Sequence, residues 1–138
     1  MQKILATVAA VAILAVGATA AQAQSRAERG EARLAQMLEG YQASGEAQNC
    51  ISAIRSNRIS VIPYVGVVYD AGHTIYVARA SRPESLRDSD IPVFERFSSQ
   101  LCSNDVMRTI DRNSPSFSGV LFLEDFVSYA RVEEASEG

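Results

Sequence analysis

The stretch YVGVVYDAGHTIYVARA, residues 64–80, decides the fold of this chain. Val, Ile and Tyr dominate both of its halves, and the small pair Ala71-Gly72 between them is a turn signal, so the stretch predicts a β-hairpin. With a two-residue loop, the facing pairs are Asp70 with His73, Tyr69 with Thr74, Val68 with Ile75 and Val67 with Tyr76. A three-residue loop would shift this register by one.

Both faces of the predicted hairpin are apolar. The first face carries Val68, Ile75 and Val77, and the second carries Val65, Val67, Tyr69 and Tyr76. A sheet with two apolar faces has to be covered on both, either by curling into a barrel or by packing against a helix.

Four further stretches have a strand pattern: ISAIRSNRISVI (51–62), IPVFERFS (91–98), VMRTID (106–111) and GVLFLEDFVSYAR (119–131). The first forms one bent strand or two short strands broken near Ser56-Asn57. Pro92 places the second at a sheet edge or a strand start, and the acidic pair Glu124-Asp125 predicts a bulge or bend in the last. The expected fold is a mainly β domain, a small antiparallel β-barrel or sandwich of five to seven strands.

Residues 25–40, SRAERGEARLAQMLEG, predict a helix ahead of the strands. Ser25 and Glu28 have the spacing of an N-terminal capping box, and Gly40 is a C-terminal stop. Gly30 lies in the middle, where a glycine lowers helix stability. The apolar residues recur at helical intervals: Leu34, Met37, Leu38 and Tyr41. Such a stripe could dock a partner, but more often it covers a core.

The amino-terminal stretch MQKILATVAAVAILAVGATAAQAQ predicts export. Lys3 supplies a positive start, residues 4–20 are uncharged and apolar, and Ala21-Gln22-Ala23 has the A-x-A form of a cleavage site. A membrane anchor is the alternative, but the stretch is alanine-rich and lacks the Lys and Arg cluster that would stop transfer. We expect a signal peptide cleaved after Ala23, whose removal from the 138 residues leaves 115 in the periplasm or secreted, without a stable membrane anchor.

The chain has two cysteines, Cys50 and Cys102. In an oxidising compartment, two cysteines in a small domain are expected to form a disulfide. A reactive or redox thiol is the alternative, but it usually comes with a C-x-x-C pair or a nearby cationic group. The two cysteines therefore predict a structural disulfide.

The charge of the mature chain is acidic. Without Lys3 every cation is an arginine, and twelve arginines face sixteen acidic residues, a net charge of −4. Arginine alone could indicate phosphate or carboxylate recognition, since the guanidinium forks onto both, or it could reflect GC-rich codons. An acidic domain lacks the basic surface expected for nucleic acid or an anionic membrane.

The candidate catalytic and metal-binding residues are few. His73 is the only histidine, with Asp70 across the turn, and a metal site usually needs three or four ligands. Asp88 and Asp90 have the D-x-D spacing of a calcium loop, but no further ligands follow. Glu124 and its neighbour point to opposite faces of a regular strand, which does not suit a glycosidase pair. We therefore expect no catalytic residues, no metal and no cofactor.

Tyrosines and arginines give a candidate binding surface: Tyr64, Tyr69, Tyr76, Arg55, Arg58 and Arg79. Tyr129 and Arg82 extend the two sets. The tyrosines could form a platform for sugar or protein, with core packing as the alternative. The arginines could converge on an anion-binding patch beside Tyr64.

Four segments together carry a family resemblance: CISAIRSNRIS (50–60), GVVYDAGHTIYVARA (66–80), SQLCSNDVMRTIDR (99–112) and GVLFLEDFVSYAR (119–131). They resemble an uncharacterised family of small exported proteins common in sphingomonad-type alphaproteobacteria. The similarity runs from about residue 29 to residue 131. It implies export and the pairing of the two cysteines, and it supplies no catalytic residue.

The expected organisation is a signal peptide (1–23), a helix and polar linker (24–49), a β domain (50–132) and an acidic tail (133–138). The expected function is a non-enzymatic binding or structural module of the cell envelope, with an envelope protein or component as its partner. One alternative is a modulator or inhibitor of an envelope enzyme, acting through the loops 81–90 and 113–118. Others are a small hydrolase with paired acids and a redox protein.

Overall fold

The computed structural model describes residues 18–54, 58–95 and 98–133. Residues 1–17 of the predicted signal peptide, and most of the acidic tail, lie outside this description. Within the described residues the helix and strands are, in chain order, α1 Ala18–Met37, β1 Tyr41–Ala43, β2 Cys50–Ser52, β3 Ile59–Ile62, β4 Gly66–Asp70, β5 Thr74–Arg79, β6 Asp90–Phe94, β7 Gln100–Cys102, β8 Met107–Asp111, β9 Phe117–Leu121 and β10 Val127–Arg131.

The strands form three antiparallel sheets. The largest has the order β1-β10-β5-β4-β3, the second pairs β2 with β7, and the third has the order β6-β8-β9. Their arrangement is sandwich-like and the described sheets do not close into a barrel. The predicted fold, a mainly β antiparallel domain with an N-terminal helix and one disulfide, is confirmed. Ten strands are described instead of five to seven, because several are only three residues long.

The predicted hairpin forms from β4 and β5, but in a different register. The pairs are Asp70 with Ile75, Tyr69 with Tyr76, Val68 with Val77 and Val67 with Ala78. Ala71 donates its N–H to the carbonyl of Thr74 at 2.9 Å, and the Asp70 carboxylate accepts from the N–H of Gly72 at 2.8 Å. The turn is therefore centred on Gly72 and His73, one residue later than predicted. Each predicted pairing is wrong by two residues, and an even shift keeps each side chain on its face.

Both faces of the large sheet are covered, as predicted. The core on the helix side contains Leu34, Ile62, Val65, Val68, Ile75 and Val77. The core on the opposite side contains Ile51, Ala53, Val61, Val67, Tyr69, Ala78, Ala80, Leu86, Leu101, Met107, Leu121 and Phe126. Val65 was expected on the face of Val67 and lies in the other core. It precedes β4 in a turn that its N–H closes onto the carbonyl of Ile62 at 3.1 Å, outside the strand alternation.

The helix differs from its prediction at both ends. It already includes Ala18, so Ser25 lies inside it and is not an N-cap, and the predicted cut after Ala23 also falls within it. The helix ends at Met37, and Gly40 adopts φ 78°, the left-handed conformation of a C-terminal stop. Tyr41 was expected on the helical stripe and instead opens β1, which pairs with β10 where a polar linker was predicted.

Gly30 brings the helix against the sheet. The residue is buried, and a Cβ added to it would press on the carbonyl oxygen of Pro63 in the turn between β3 and β4, closer than real Cβ contacts reach. A glycine that weakens the isolated helix thus permits a close approach of the helix to the β domain.

The disulfide joins Cys50 to Cys102, as predicted. The two residues face each other across β2 and β7 with their Cα atoms 4.0 Å apart. Beside them, the hydroxyl of Ser103 accepts from the amide of Asn49 at 2.8 Å and donates to the carboxylate of Asp125 at 2.7 Å. This network holds the bend between β9 and β10 against the disulfide pair.

The remaining predicted strands are present, but β6 ends at Phe94, earlier than predicted, and residues 119–131 form the end of β9 and all of β10 instead of one bent strand. Residues 51–62 contain two short strands, although their break near Ser56-Asn57 lies outside the described residues. Pro92 lies in β6, an outer strand of the three-stranded sheet. The run 119–131 is interrupted at the exposed acids Glu124-Asp125, where the chain leaves one sheet for another.

Candidate anion-binding site

A groove of about 380 Å³ lies between α1, the end of β3 and the loop between β5 and β6. We call it the arginine groove. Its lining residues are Arg26, Arg29, Gly30, Arg33, Ile62, Pro63, Tyr64, Leu86, Arg87 and Asp88. The volume falls in the range of small-molecule sites, roughly 300–1,000 Å³.

One wall of the groove is a row of helical arginines. Arg26, Arg29 and Arg33 are spaced three and four residues apart, which places them on one face of α1. Arg29 donates to the carbonyl oxygen of Ser25 at 3.3 Å and to its hydroxyl at 3.4 Å. The three guanidinium groups form a basic edge on an otherwise acidic protein.

The opposite wall comes from the loop between β5 and β6. Arg33 Nη1 lies 2.8 Å from Asp88 Oδ1, so one ion pair bridges the two walls, and both side chains are largely exposed, at 51% and 79%. The N–H of Arg87 donates to the carboxylate of Asp90 at 2.9 Å, which fixes the backbone of this loop. Among the described lining residues four arginines face one aspartate, so the groove is complementary to an anion.

The floor of the groove is apolar and contains a strained residue. Tyr64 has φ 64°, and among the described residues no other non-glycine residue has a positive φ. Its N–H donates to the carbonyl of Pro83 at 3.0 Å, which ties the turn to the loop. Positive φ is unfavourable for a bulky residue and is frequent at binding sites. The floor thus pairs an aromatic ring with a rigid backbone beneath the arginines.

The structure brings only part of the predicted binding surface to this groove. Tyr64 lines it, but without the arginines that were predicted to converge beside it. Tyr69 and Tyr76 stack with their ring centroids 6.2 Å apart, Tyr69 buried in the core opposite the helix and Tyr76 packed against it. Tyr129 packs against the core on the helix side. These three tyrosines serve packing, the alternative considered from the sequence.

The predicted arginines lie elsewhere. Arg79 forms a bidentate pair with Glu31 of α1, with Nη–Oε distances of 2.5 and 3.1 Å. The pair lowers the pKa of Glu31 and raises that of Arg79. Arg58 is exposed ahead of β3, Arg82 borders a second cavity, and Arg55 lies outside the described residues.

The arginines that do line the groove were missed from the sequence. The spacing of Arg26, Arg29 and Arg33 was a readable signal, since it puts three like charges on one helical face. Arg87 carried no such signal, because only the fold brings its loop to the helix.

A second cavity of about 200 Å³ lies against the three-stranded sheet and has a polar wall. The carboxylate of Asp90 is buried there, with 6% exposure, and accepts from the hydroxyl of Ser118 and the N–H of Arg87, both at 2.9 Å. The hydroxyl of Ser118 also lies 2.9 Å from that of Thr109. Both carboxylate oxygens of Asp90 therefore have a hydrogen-bond partner within the fold, which indicates a structural role for this residue.

The other candidate catalytic residues are dispersed. His73 is exposed in the hairpin turn, and its carbonyl accepts from the N–H of Arg131 at 2.9 Å. Asp88 and Asp90 of the D-x-D fragment point to different partners, the first to Arg33 and the second into the second cavity. Within residues 18–54, 58–95 and 98–133 no three His, Cys, Asp or Glu side chains are grouped to hold a metal ion.

No family model, curated protein or solved structure matches the chain. The family resemblance drawn from the four segments therefore remains a prediction. In the part of the chain that the structure describes, no helix is long and apolar enough to cross a membrane.

Proposed function

We propose that the protein is an exported, non-enzymatic binding module of the cell envelope, and that the arginine groove binds an anionic group of its ligand. The observation that carries this proposal is the groove itself, in which four arginines face a single acid above an apolar floor. Guanidinium groups bind carboxylates and phosphates through paired hydrogen bonds, which are stronger than those between neutral groups. The partner is an anionic component of the envelope.

Export is supported by the amino-terminal sequence and by the disulfide. The disulfide between Cys50 and Cys102 fits an oxidising compartment. Cleavage after Ala23 would keep every lining residue of the groove, of which Arg26 is the first. The test of export is an intact mass of the protein from its own cell envelope, without reductant. We expect the mass of residues 24–138 less two hydrogens, and a retained leader or free thiols would contradict export.

The anion site is tested by a backbone-amide NMR titration of residues 24–138 with three ring-bearing anions, benzoate, phenyl sulfate and phenyl phosphate. We expect saturable shifts at Arg29, Tyr64 and Arg87 with at least one of them. Arg29→Ala should weaken binding about tenfold or more, because a hydrogen bond to a charged group contributes about 1.5–3 kcal/mol and about 1.4 kcal/mol is a factor of ten.

The matched control is Arg108→Ala. Arg108 is a similarly exposed arginine on β8 that pairs with Glu95 and does not line the groove. It removes the same charge, so an equal loss in both variants would point to non-specific attraction. No saturable shift at the groove with any of the three anions would refute the anion site.

A second function, modulation or inhibition of an envelope enzyme, is supported by the two loops named from the sequence. The structure joins them, because Ser118 donates to Asp90 at 2.9 Å and the N–H of Arg112 donates to the carbonyl of Ser89 at 2.9 Å. The Ser89 hydroxyl and two loop N–H groups lower the pKa of Asp111, which helps to fix this surface.

Two exposed phenylalanines border the joined loops. Phe117 and Phe122 are 65% and 66% exposed, and aromatic anchors of this kind are common at protein interfaces. If this surface acts on an enzyme, the unmodified protein will capture that enzyme from envelope extract and change its reaction rate. The double variant with Phe117→Ser and Phe122→Ser will do neither. An unchanged rate on adding pure protein would refute this function.

A further inference from the structure

The ligand's chemistry can be narrowed further. Resting on the proposed function, we infer that the arginine groove selects a phosphate monoester carried on an apolar or ring-shaped body, and that Asp88 competes with this phosphate for Arg33. Three features of the groove lead to this inference: the bridging ion pair, the excess of positive charge and the apolar floor.

The bridging ion pair shows that Arg33 can bind an anionic group at the edge of the groove. Its guanidinium holds the carboxylate of Asp88 at 2.8 Å, at the edge of the groove. Both side chains are about half exposed or more, and ion pairs of that kind are weak and exchange readily. An incoming anion can therefore take the place of Asp88 on Arg33.

The charge of the groove favours a dianion in this exchange. A monoanion that displaces Asp88 replaces one negative charge by another and gains little from Arg33. A phosphate monoester carries about −1.5 to −2 charges at pH 7 and has three acceptor oxygens. Its oxygens can replace Asp88 on Arg33 and still bind Arg29 and Arg87, the neighbouring arginines of the two walls.

The floor favours an ester over inorganic phosphate. Ile62, Pro63, Leu86 and the ring of Tyr64 line the groove below the arginines. Ile62 and Leu86 are buried, so the surface open to a ligand comes from the partly exposed Pro63 and Tyr64. An organic body would lie against Tyr64 while its phosphate meets the guanidinium groups.

The discriminating probes are phenyl phosphate and phenyl sulfate at pH 7.5, measured by calorimetry on residues 24–138. They share the ring and the tetrahedral head group but differ by about one charge. We expect phenyl phosphate to bind at least tenfold more tightly. Equal affinities would overturn the inference and leave the proposed anion site standing, whereas no binding of either probe or of benzoate would overturn both.

The role of Asp88 is tested by Asp88→Asn, which keeps the size of the side chain. Competition predicts about two- to fivefold tighter binding of both probes, in the range of one exposed ion pair. Glu46→Gln, at an exposed acid outside the groove, is the control for net charge and should change neither affinity. Weaker or unchanged binding by the Asp88→Asn variant would overturn the competition. Weaker binding would show that Asp88 positions Arg33 for the ligand.

The phosphate could belong to a lipid or to a soluble ester, and vesicles separate the two. Phosphatidylcholine vesicles containing phosphatidic acid, a monoester, are compared with vesicles containing phosphatidylglycerol, a diester. Binding to the vesicles with phosphatidic acid but not to those with phosphatidylglycerol would assign the ester to a lipid. Binding of phenyl phosphate without either vesicle would assign it to a soluble compound, and equal binding to both vesicles would overturn selection of a monoester.

Discussion

Replacing Gly30 by alanine tests the contact that places the helix on the β domain. In an exposed helix this change adds about 1 kcal/mol of stability, because alanine is the better helix former. Here the new methyl group would press on the carbonyl oxygen of Pro63, a backbone atom that cannot rotate away. Either the helix or the turn between β3 and β4 has to move.

The size of the effect follows from these opposing contributions. Overpacking a tight contact typically costs about 1–3 kcal/mol, and contact with backbone favours the upper part of that range. Subtracting the gain in helix propensity leaves a net loss of about 2 kcal/mol. For 115 residues this corresponds to a fall of roughly 8 °C in the unfolding midpoint.

Thermal and urea unfolding of residues 24–138 measure this loss. The matched control is Ala32→Gly, at an exposed position two residues along the same helix, which should cost about 1 kcal/mol through helix propensity alone. If Gly30→Ala stabilised the protein by as much as Ala32→Gly destabilises it, the close contact with Pro63 would be refuted. The variant should also bind the anion probes less tightly, because Gly30 lines the arginine groove.

Three further predictions concern the disulfide, the core and one ion pair. Cys50→Ser and Cys102→Ser should each lower the free energy of unfolding by up to about 4 kcal/mol, and the double variant by little more; unequal losses in urea unfolding would contradict a stabilising disulfide. Phe126→Ala empties a fully buried site and should lose about 3–5 kcal/mol in the same assay, while a loss below 1 would contradict its central packing. Arg79 lowers the pKa of Glu31, so the stabilisation by this pair is present at neutral pH and disappears as the pH falls through the pKa of folded Glu31. Glu31→Gln should therefore cost less than about 1 kcal/mol at pH 7 and nothing in acid, and a cost that persists in acid would point to packing instead.

The hairpin shows how far the sequence could predict the fold. Its strands and its two apolar faces followed from the alternation of Val, Ile and Tyr, and the structure confirms them. Its register did not follow, because the carboxylate of Asp70 binds the N–H of Gly72 and moves the turn by one residue. A side chain that bonds to the local backbone competes with the spacing of the turn residues, and composition alone does not say which prevails.

The short strands show a different limit. Strands β1, β2 and β7 have three residues each, too few to show an alternating pattern. The pairing of β2 with β7 depends on Cys50 and Cys102, which were predicted to meet because they are the only two cysteines of a chain predicted to be exported. The predicted capping box at Ser25 was wrong because the Ser-x-x-Glu spacing occurs here inside a longer helix and not at its start.

The orientation of α1 explains why unpaired positive charge collects on one side of it. Successive residues turn by about 100° around a helix, so the buried residues Gly30 and Leu34 form one row with Arg33 and Arg29 on one flank and Glu31 on the other. Glu31 is neutralised by Arg79 of β5. The arginines on the opposite flank face the loop between β5 and β6, where Asp88 pairs with Arg33 and not with Arg29. The packing that seats the helix thus pairs Glu31 and leaves the arginines of the other flank in excess, and this asymmetry, fixed by a glycine and a leucine, underlies the proposed anion site.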